Sequence, residues 1–339
     1  MKAEIFDAAS FWDDFSWEQA RVLVAGGAEE MESLLPTARQ RTVDAFGPAI
    51  KLFQPGSSFP AISITGSECA LDCLHCNKRY LKQMKHATTP EDLLALCHRL
   101  DDRGAVGCLI SGGCNPEGSV PLGPFLDAIA TIKQETHLVL NLHTGFLTPE
   151  VAARLGEIGV DVVSFDVNGS SETVREIYRL DRDIGDYQQS LDLLAEYGVN
   201  FVPHVCIGLH YGQLKGELDA LELIAKYDPS TIVFIILIPP TDGPNRGLFA
   251  TPTPDDVGKI FCTARAALPH TELFLGCMRP GGVVRSAIER RAIEAGASTI
   301  VIPTRETREW LAAQEIPIRT YNSCCAIPPD LYEKALAFH

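Results

Sequence analysis

From residue 61 onward, short runs of apolar and often β-branched residues alternate with longer stretches whose apolar residues recur at helical spacing. The short runs predict eight strands: Ala61–Ile64, Gly107–Ile110, Leu138–Leu142, Val160–Phe165, Phe201–Ile207, Thr231–Ile238, Glu272–Leu275 and Thr299–Ile302. The longer stretches predict seven helices: Pro90–Leu100, Pro124–Gln134, Val151–Ile158, Leu191–Tyr197, Glu217–Tyr227, Pro254–Leu268 and Val284–Ala295. Strands that alternate with helices indicate a parallel sheet covered by helices.

Eight strand-helix units of this length fit a closed (β/α)8 barrel of the TIM type, and a doubly wound open sheet is the alternative. No G-x-G-x-x-G follows any predicted strand, so the dinucleotide-binding version of the open sheet has no support. Residues 1–60 show apolar stripes at helical spacing and contain no Cys. We expect residues 1–58 to form an N-terminal helical extension, residues 59–305 the barrel, and residues 306–339 a C-terminal tail over the barrel mouth.

Composition excludes several classes of protein. The 339 residues carry a net charge of -15 and no dense block of Lys or Arg, which argues against a nucleic-acid partner. The chain lacks an apolar stretch long enough for a membrane span, and its first residues lack the basic-then-apolar order of a secretory signal. We therefore expect a cytoplasmic protein, in which the 11 Cys stay free, bind metal or take part in chemistry.

The sharpest motif is Cys69-Ala-Leu-Asp-Cys73-Leu-His-Cys76, just after the first predicted strand, where parallel barrels place their chemistry. Three thiolates in one loop can hold three corners of a [4Fe-4S] cluster and leave the fourth iron open to a small molecule. A structural zinc site and plain buried thiols are the alternatives. Zinc takes four ligands, and the second pair that such sites usually have is missing here, so the spacing favours iron and sulfide.

This C-x3-C-x2-C loop resembles that of the radical S-adenosylmethionine (SAM) superfamily. The resemblance implies that Cys69, Cys73 and Cys76 hold the cluster and that SAM binds its open iron. Reductive cleavage of SAM then yields a 5′-deoxyadenosyl radical, which removes a hydrogen atom from the substrate. His75 stands where the family usually has an aromatic residue, and we expect its ring to stack on the adenine.

Further elements of the resemblance follow in the family's order. They imply a SAM site in which backbone at the glycines binds the amino group, polar side chains bind the ribose and a fifth-strand segment contacts the adenine. The residues are, in that order, Ser111, Gly112 and Gly113, then Asp166 and Asn168, then Ile207 and Gly208. Glycine suits such a place because no Cβ keeps the ligand away. The family's acidic residue after the glycines is Cys114 here, and turn formation is the alternative role of Asp166 and Asn168.

A second group of cysteines falls in loops predicted at the barrel mouth. These residues can hold an auxiliary [4Fe-4S] cluster, with Ser323 as an exchangeable oxygen ligand: Cys114, Cys277, Cys324 and Cys325. Loops that are merely rich in small residues are the alternative. Cys97, Cys108 and Cys262 lie inside predicted helices and strands, and we expect them to be core thiols.

A second cluster can donate sulfide to a substrate radical, as in biotin synthase and lipoyl synthase. The elements Ser111–Gly118, His204–Leu209, Leu275–Pro280 and Ser323–Cys325 resemble the biotin-synthase-related proteins that form a two-protein lipoyl synthase. The resemblance implies sulfur insertion into an octanoyl chain on a lipoyl carrier protein. The implied partners are that carrier, a second radical SAM protein and a ferredoxin or flavodoxin reductant, with neither nucleic acid nor membrane.

Two other functions stay open. One is a biotin-synthase-like radical SAM enzyme of rearrangement or cofactor maturation that donates no sulfur, and the other is a non-enzymatic metal-binding scaffold. Arg279, two residues after Cys277, is expected either to pair with a carboxylate or to form a surface ion pair.

Overall fold

The computed structural model describes residues 6–336. The helices are α1 (Ala8–Asp13), α2 (Trp17–Ala25), α3 (Ala28–Phe46), α4 (Pro90–Asp102), α5 (Leu126–Glu135), α6 (Pro149–Ile158), α7 (Ser171–Thr173), α8 (Ile184–Glu196), α9 (Glu217–Ala225), α10 (Pro254–Ala267), α11 (Val283–Glu294), α12 (Arg305–Ala313) and α13 (Tyr332–Ala335). The strands are β1 (Ile50–Phe53), β2 (Ala61–Ser63), β3 (Lys85–His86), β4 (Gly107–Ser111), β5 (Val139–His143), β6 (Val162–Asp166), β7 (Phe201–Ile207), β8 (Thr231–Ile236), β9 (Glu272–Leu275), β10 (Thr299–Val301) and β11 (Ile318–Tyr321). Within residues 6–336, no helix combines the length and the apolar character that crossing a bilayer requires.

The strands form an 11-stranded sheet in the order β11-β1-β10-β9-β8-β7-β6-β5-β4-β2-β3. The eight predicted strands are β2 and β4 to β10, and they are consecutive in this order. The predicted α/β fold with a parallel sheet is therefore confirmed, as are all seven predicted helices. Closure of the strands into a TIM-type ring of eight stays a prediction.

The expectation of helix throughout residues 1–60 is wrong at β1. Helix α3 ends at Phe46 because Gly47 takes a left-handed conformation, with φ of 82°, and Pro48 follows it without an amide hydrogen. The chain leaves this break in the extended conformation of Ile50–Phe53.

The same dipeptide starts three of the helices. Thr89-Pro90, Thr148-Pro149 and Thr253-Pro254 each place the threonine at the N-cap and the proline in the first turn. The threonine hydroxyl accepts a hydrogen bond from a first-turn amide, and proline lacks the amide hydrogen that would otherwise stay unpaired. These starts set where α4, α6 and α10 begin and therefore where the preceding loops end.

The first of two compact units comprises the residues up to Leu52, Asn168–Ser170 and Val205–Arg319. Its helices α2, α3 and α11 pack against α10, which is buried on almost every side. Lys259 of α10 donates to the Gly26 carbonyl at 2.6 Å and so caps the end of α2. Strands β8, β9 and β10 pair in parallel within this unit.

The second unit comprises Phe53–Val167, Ser171–His204 and the residues from Thr320 onward. In it, β2, β4, β5, β6 and the first part of β7 pair in parallel, so their carboxyl ends share one edge. The tail joins this unit where the Tyr321 ring stacks on the Phe53 ring at 4.9 Å and the Gln54 amide donates to the Tyr321 carbonyl at 2.8 Å. The predicted domain limits after residues 58 and 305 stay predictions.

Candidate functional site

In the second unit, the cysteine loop is held against the segment that follows β4. Gly113 lies so close to this loop that a Cβ there would be 2.0 Å from the Glu68 carbonyl oxygen and 2.5 Å from the Cys69 Cβ. The Gly113 amide donates to Thr65 Oγ1 at 2.6 Å, and the Thr65 hydroxyl donates to the Glu68 carbonyl at 2.8 Å. Only glycine permits this approach, so the predicted SAM-binding glycine also sets the position of Cys69.

Ser111 and Gly112 also pack against the segment that leads into the cysteine loop. Ser111 is the last residue of β4, it is buried, and its carbonyl accepts the Ile64 amide at 2.8 Å. A Cβ on Gly112 would be 3.0 Å from Thr65 Oγ1. These two predicted SAM-binding residues therefore lie in the backbone layer that carries the cysteine loop.

Cys114 lies directly against Cys69. The Cys114 amide donates to Cys69 Sγ at 3.2 Å, and the Ala70 amide donates to the Cys114 carbonyl at 2.7 Å. The hydrogen bond from the Cys114 side chain lowers the pKa of Cys69 to about 5, because donors stabilise a thiolate. Cys114 is thus next to the predicted SAM cluster, and its role as an auxiliary ligand stays a prediction.

The other two thiols of the triplet are half-buried, and burial disfavours their charged form. Burial, followed by the negative charges of Cys76 and Cys69, raises the pKa of Cys73 to about 12. Burial is also the main cause of the raised pKa of Cys76. Without a ligand these two side chains therefore stay protonated thiols, and a bound metal cluster would favour their deprotonated form.

A π-helical turn at Val174–Tyr178 supports the loop from the other side. The Leu74 amide donates to the Ile177 carbonyl at 2.8 Å, and the Cys73 thiol faces the Tyr178 carbonyl at 3.7 Å. Such turns are frequent at functional sites. Sequence reasoning missed this one because a five-residue π turn has no periodic pattern.

His75 is buried between the second and third cysteines of the loop. Its ring meets the Tyr178 ring edge-on at 5.4 Å, and burial lowers the pKa of His75 to about 4, so the imidazole is neutral. Its Nδ1 atom is buried without a hydrogen-bond partner. A polar atom left in this state fits a ligand that supplies the missing bond.

Asp166, at the end of β6, faces two histidines that sequence reasoning did not select. Its carboxylate lies 3.6 Å from His143 Nε2, and the His143 and His204 rings are 5.7 Å apart. His204 Nδ1 bonds to the Val202 carbonyl at 3.0 Å, and burial lowers the pKa of His204 to about 4. His143 directly follows the predicted strand Leu138–Leu142, whereas His204 lies in the middle of Phe201–Ile207, so only His143 carried a positional signal.

In the first unit, the predicted adenine-contact segment is tied to a buried carboxyl group. The Gly208 amide donates to Glu217 Oε1 at 2.7 Å, and burial raises the pKa of Glu217 to about 7. Ile207 is fully buried. Asn168, also in this unit, accepts the Ser170 amide at 2.8 Å, which is the turn geometry anticipated as its alternative role. The SAM contacts of Asn168, Ile207 and Gly208 stay predictions.

The tail places its three candidate ligands in the second unit. Ser323 and Cys325 are buried, and the Ser323 hydroxyl donates to the Cys324 carbonyl at 3.1 Å. Cys324 Sγ accepts a hydrogen bond from Asn141 Nδ2 at 3.6 Å. Hydrogen bonding, above all from the Cys325 side chain, lowers the pKa of Cys324 to about 7.

Arg279 of the first unit is neither exposed nor free to bind a substrate. It pairs with Glu289 at 2.7 Å, and both side chains are 0% exposed, so the expectation of a surface ion pair is wrong. The guanidinium also donates to three carbonyls. Cys277 is exposed, while Cys97, Cys108 and Cys262 are buried as predicted.

The residues of the loop fit a [4Fe-4S] cluster that leaves one iron open. Three soft sulfur ligands share the loop, burial disfavours the free thiolates of Cys73 and Cys76, and a buried imidazole nitrogen beside them lacks a partner. A zinc site would need a fourth ligand, and the candidate in the loop, His75, is adjacent in sequence to Cys76 and has its ring edge-on to Tyr178.

Comparison with known proteins agrees with this geometry. Residues 63–224 match the profile of the Radical SAM superfamily. The chain is 24% identical over 250 residues to a biotin synthase from Bradyrhizobium diazoefficiens, covering 71% of this chain and 73% of that protein. In structure it is similar to HydG, a maturase of the [FeFe]-hydrogenase (TM-score 0.66, 16% identity, 91% of this chain, 72% of that one), and to methylornithine synthase PylB (TM-score 0.65, 14% identity, 92% and 96%). Residues 63–224 are thus similar to the Radical SAM superfamily, and the chain shares its fold with these two proteins.

Proposed function

We propose that this chain, whose residues 63–224 match the Radical SAM superfamily, is an enzyme that makes a 5′-deoxyadenosyl radical and inserts sulfur into an octanoyl chain on a lipoyl carrier protein. The observation that carries the radical SAM part is the locking of the three-cysteine loop onto Gly113, with the orphaned His75 nitrogen beside it. The sulfur-insertion part is supported by the tail thiols and by the similarity to a biotin synthase.

In this proposal Cys69, Cys73 and Cys76 hold the [4Fe-4S] cluster, which when bound supplies the electron for SAM cleavage. Gly113 sets the position of the loop, because its missing Cβ lets the Cys69 segment pack against the backbone. His75 supplies a neutral ring and a free nitrogen for a hydrogen bond to bound SAM.

Two side chains of the second unit, one on β6 and one on β7, can accept hydrogen bonds. Because His204 Nδ1 is bonded to a carbonyl, its proton sits there and Nε2 is an acceptor. The Asp166 carboxylate is an acceptor as well. These two acceptors suit the ribose hydroxyls of SAM, and we propose that Asp166 binds them.

The sulfur donor is proposed to be an auxiliary [4Fe-4S] cluster on the tail residues Ser323, Cys324 and Cys325, with Cys114 and Cys277 retained as predicted ligands. A second radical SAM protein and a ferredoxin or flavodoxin complete the proposed reaction. Without sulfur donation, the same loop would serve an enzyme of rearrangement or cofactor maturation.

The test is incubation of the anaerobically reconstituted chain with SAM, a reductant and an octanoylated lipoyl-domain peptide. We expect 5′-deoxyadenosine and a peptide that gains one sulfur by mass spectrometry. Deoxyadenosine without sulfur in the peptide contradicts the sulfur-insertion proposal and favours the other reaction classes. A chain that makes no deoxyadenosine, or that holds only zinc, contradicts the radical SAM assignment itself.

A further inference from the structure

Asn141 is a buried polar residue that the proposed function has not used. It lies in the middle of β5, is 1% exposed, and has Leu140 and Leu142 as neighbours. Strands of parallel sheets are usually continuous apolar runs, and asparagine is among the residues that strands disfavour. A carboxamide at this position is costly unless its atoms are bonded, and it adds nothing to the apolar core.

The bonds of Asn141 give its amide one orientation. The Ser164 hydroxyl on the adjacent strand β6 donates to Asn141 Oδ1 at 3.0 Å. The amide nitrogen is a donor only, and it is directed at Cys324 Sγ, 3.6 Å away. Ser164 is itself 3% exposed, so its hydrogen bond to Asn141 is shielded from water.

We infer that Asn141 is a positioning residue for Cys324. Its amide holds the Cys324 sulfur at the β5 position where it serves as a ligand of the auxiliary cluster, and Ser164 sets the direction of that amide. The inference rests on the auxiliary cluster of the proposed function. It assigns a task to two buried polar residues whose presence in the strands otherwise lacks a reason.

The tail has other attachments, so Asn141 is not needed to keep it folded on the second unit. Tyr321 stacks on Phe53 and meets the ring of Tyr332 at 5.3 Å. The Asn322 amide donates to the Ala335 carbonyl at 2.7 Å. Loss of the amide at Asn141 should therefore displace the sulfur while the tail stays in place.

The experiment compares wild type with Asn141→Ala, Ser164→Ala, Ser164→Thr and Ser190→Ala after anaerobic reconstitution. Ser190→Ala is the matched control, since Ser190 is 2% exposed in the same unit and its hydroxyl donates to the Asp186 carbonyl instead. Iron per chain and Mössbauer spectra are measured, with 5′-deoxyadenosine as the readout of the first cluster. Thermal unfolding checks that each variant is folded.

We expect about eight Fe per chain in wild type, Ser164→Thr and Ser190→Ala, and about four in Asn141→Ala and Ser164→Ala, with deoxyadenosine formation kept in all. Full iron in Asn141→Ala overturns the inference, and so does a wild type that holds only about four Fe. A wild type with both clusters whose product gains no sulfur overturns the proposed function alone, because the iron counts still test Asn141.

Discussion

Buried polar groups are treated in opposite ways at the end of β9 in the first unit and in the cysteine loop of the second. Arg279 uses all three guanidinium nitrogens, bonding Glu289 and the carbonyls of Gly276, Val301 and Ile302. In the cysteine loop, a buried imidazole nitrogen has no hydrogen-bond partner, and the charges of Cys76 and Cys69 raise the pKa of Cys73. A fully satisfied buried charge serves the fold, whereas an unsatisfied group in a loop of metal-binding residues indicates a missing ligand.

The Arg279 region also holds strained backbone. Ile302 has φ of 49°, which a β-branched residue rarely adopts, and its carbonyl accepts bonds from Arg279 and Arg285. Such strain costs roughly 1–3 kcal/mol and persists only where the surroundings enforce it. The two arginines hold the Ile302 carbonyl in place, so the hydrogen bonds of this region stabilise a particular backbone conformation.

The largest expected effect tests the cysteine loop, where a buried imidazole nitrogen lacks a hydrogen-bond partner. Cys73→Ala should abolish 5′-deoxyadenosine formation, a loss beyond the roughly 10–100-fold caused by changes outside the ligand set. Iron per chain should fall by about four. Cys262→Ala is the matched control, since that thiol is buried in α10, and it should keep both iron and cleavage. A Cys73→Ala protein that still cleaves SAM would show that the thiols do not await a cluster.

The next largest effect tests the fully hydrogen-bonded Arg279 of the first unit. Arg279→Met removes the fully buried one of the two arginines that pair with Glu289, Arg285 being the other, which should lower the free energy of unfolding by about 3–5 kcal/mol. The measurement is urea denaturation. Arg305→Met is the control, since Arg305 is 85% exposed in its pair with Glu309, and it should change the free energy by less than about 0.5 kcal/mol. Equal effects of the two substitutions would contradict the structural role of the buried pair.

Sequence predicted what is local or periodic. The strands, the helices and the cysteine loop each depend on a pattern within a few residues. The contact between Asn141 and Cys324 joins residues 183 positions apart, and no local pattern reports it. Arg279 was misjudged because arginine is almost always exposed unless a partner is buried with it, and Glu289 gives no sign of that in the sequence.

The strands β1, β3 and β11 escaped prediction for a different reason. β3 and β11 have mostly exposed side chains and lack the apolar run by which equally short strands such as β2 and β10 were predicted. β1 lies in a segment whose apolar spacing indicated helix. Their pairing is decided by the neighbouring strands of the sheet, and a strand of this length does not reveal it by itself.

A buried carboxyl group of the first unit weakens the contrast. Glu217 is buried and its pKa is raised to about 7 by burial, with the charge of Asp256 adding to the shift. The folded chain therefore keeps a proton between pH 4.5 and about 7 that the unfolded chain has lost, so stability falls as pH rises through this window. The loss amounts to about 3 kcal/mol above pH 7.

Glu217→Gln removes this titration and keeps the oxygen that accepts the Gly208 amide. The variant should match wild type in urea denaturation at pH 4 and exceed its stability at pH 8 by up to about 3 kcal/mol. Glu222→Gln on the same helix, with a side chain 43% exposed, should differ little at either pH. An identical difference between Glu217→Gln and wild type at both pH values would refute the titration.

The smallest expected effect on stability sharpens the comparison most directly, because it alters the position of the cysteine loop without removing a ligand. In Gly113→Ala, the new Cβ would meet the Glu68 carbonyl and Cys69, both parts of a backbone that cannot give way cheaply. We expect a destabilisation of about 1–3 kcal/mol in urea denaturation together with loss of iron, since the loop must move away from its support. Gly123→Ala is the control, because a Cβ there meets nothing within 4 Å. If Gly113→Ala is destabilised but binds iron and cleaves SAM normally, the cysteine loop does not need its contact with the segment after β4, and the loop's geometry is set by its own residues.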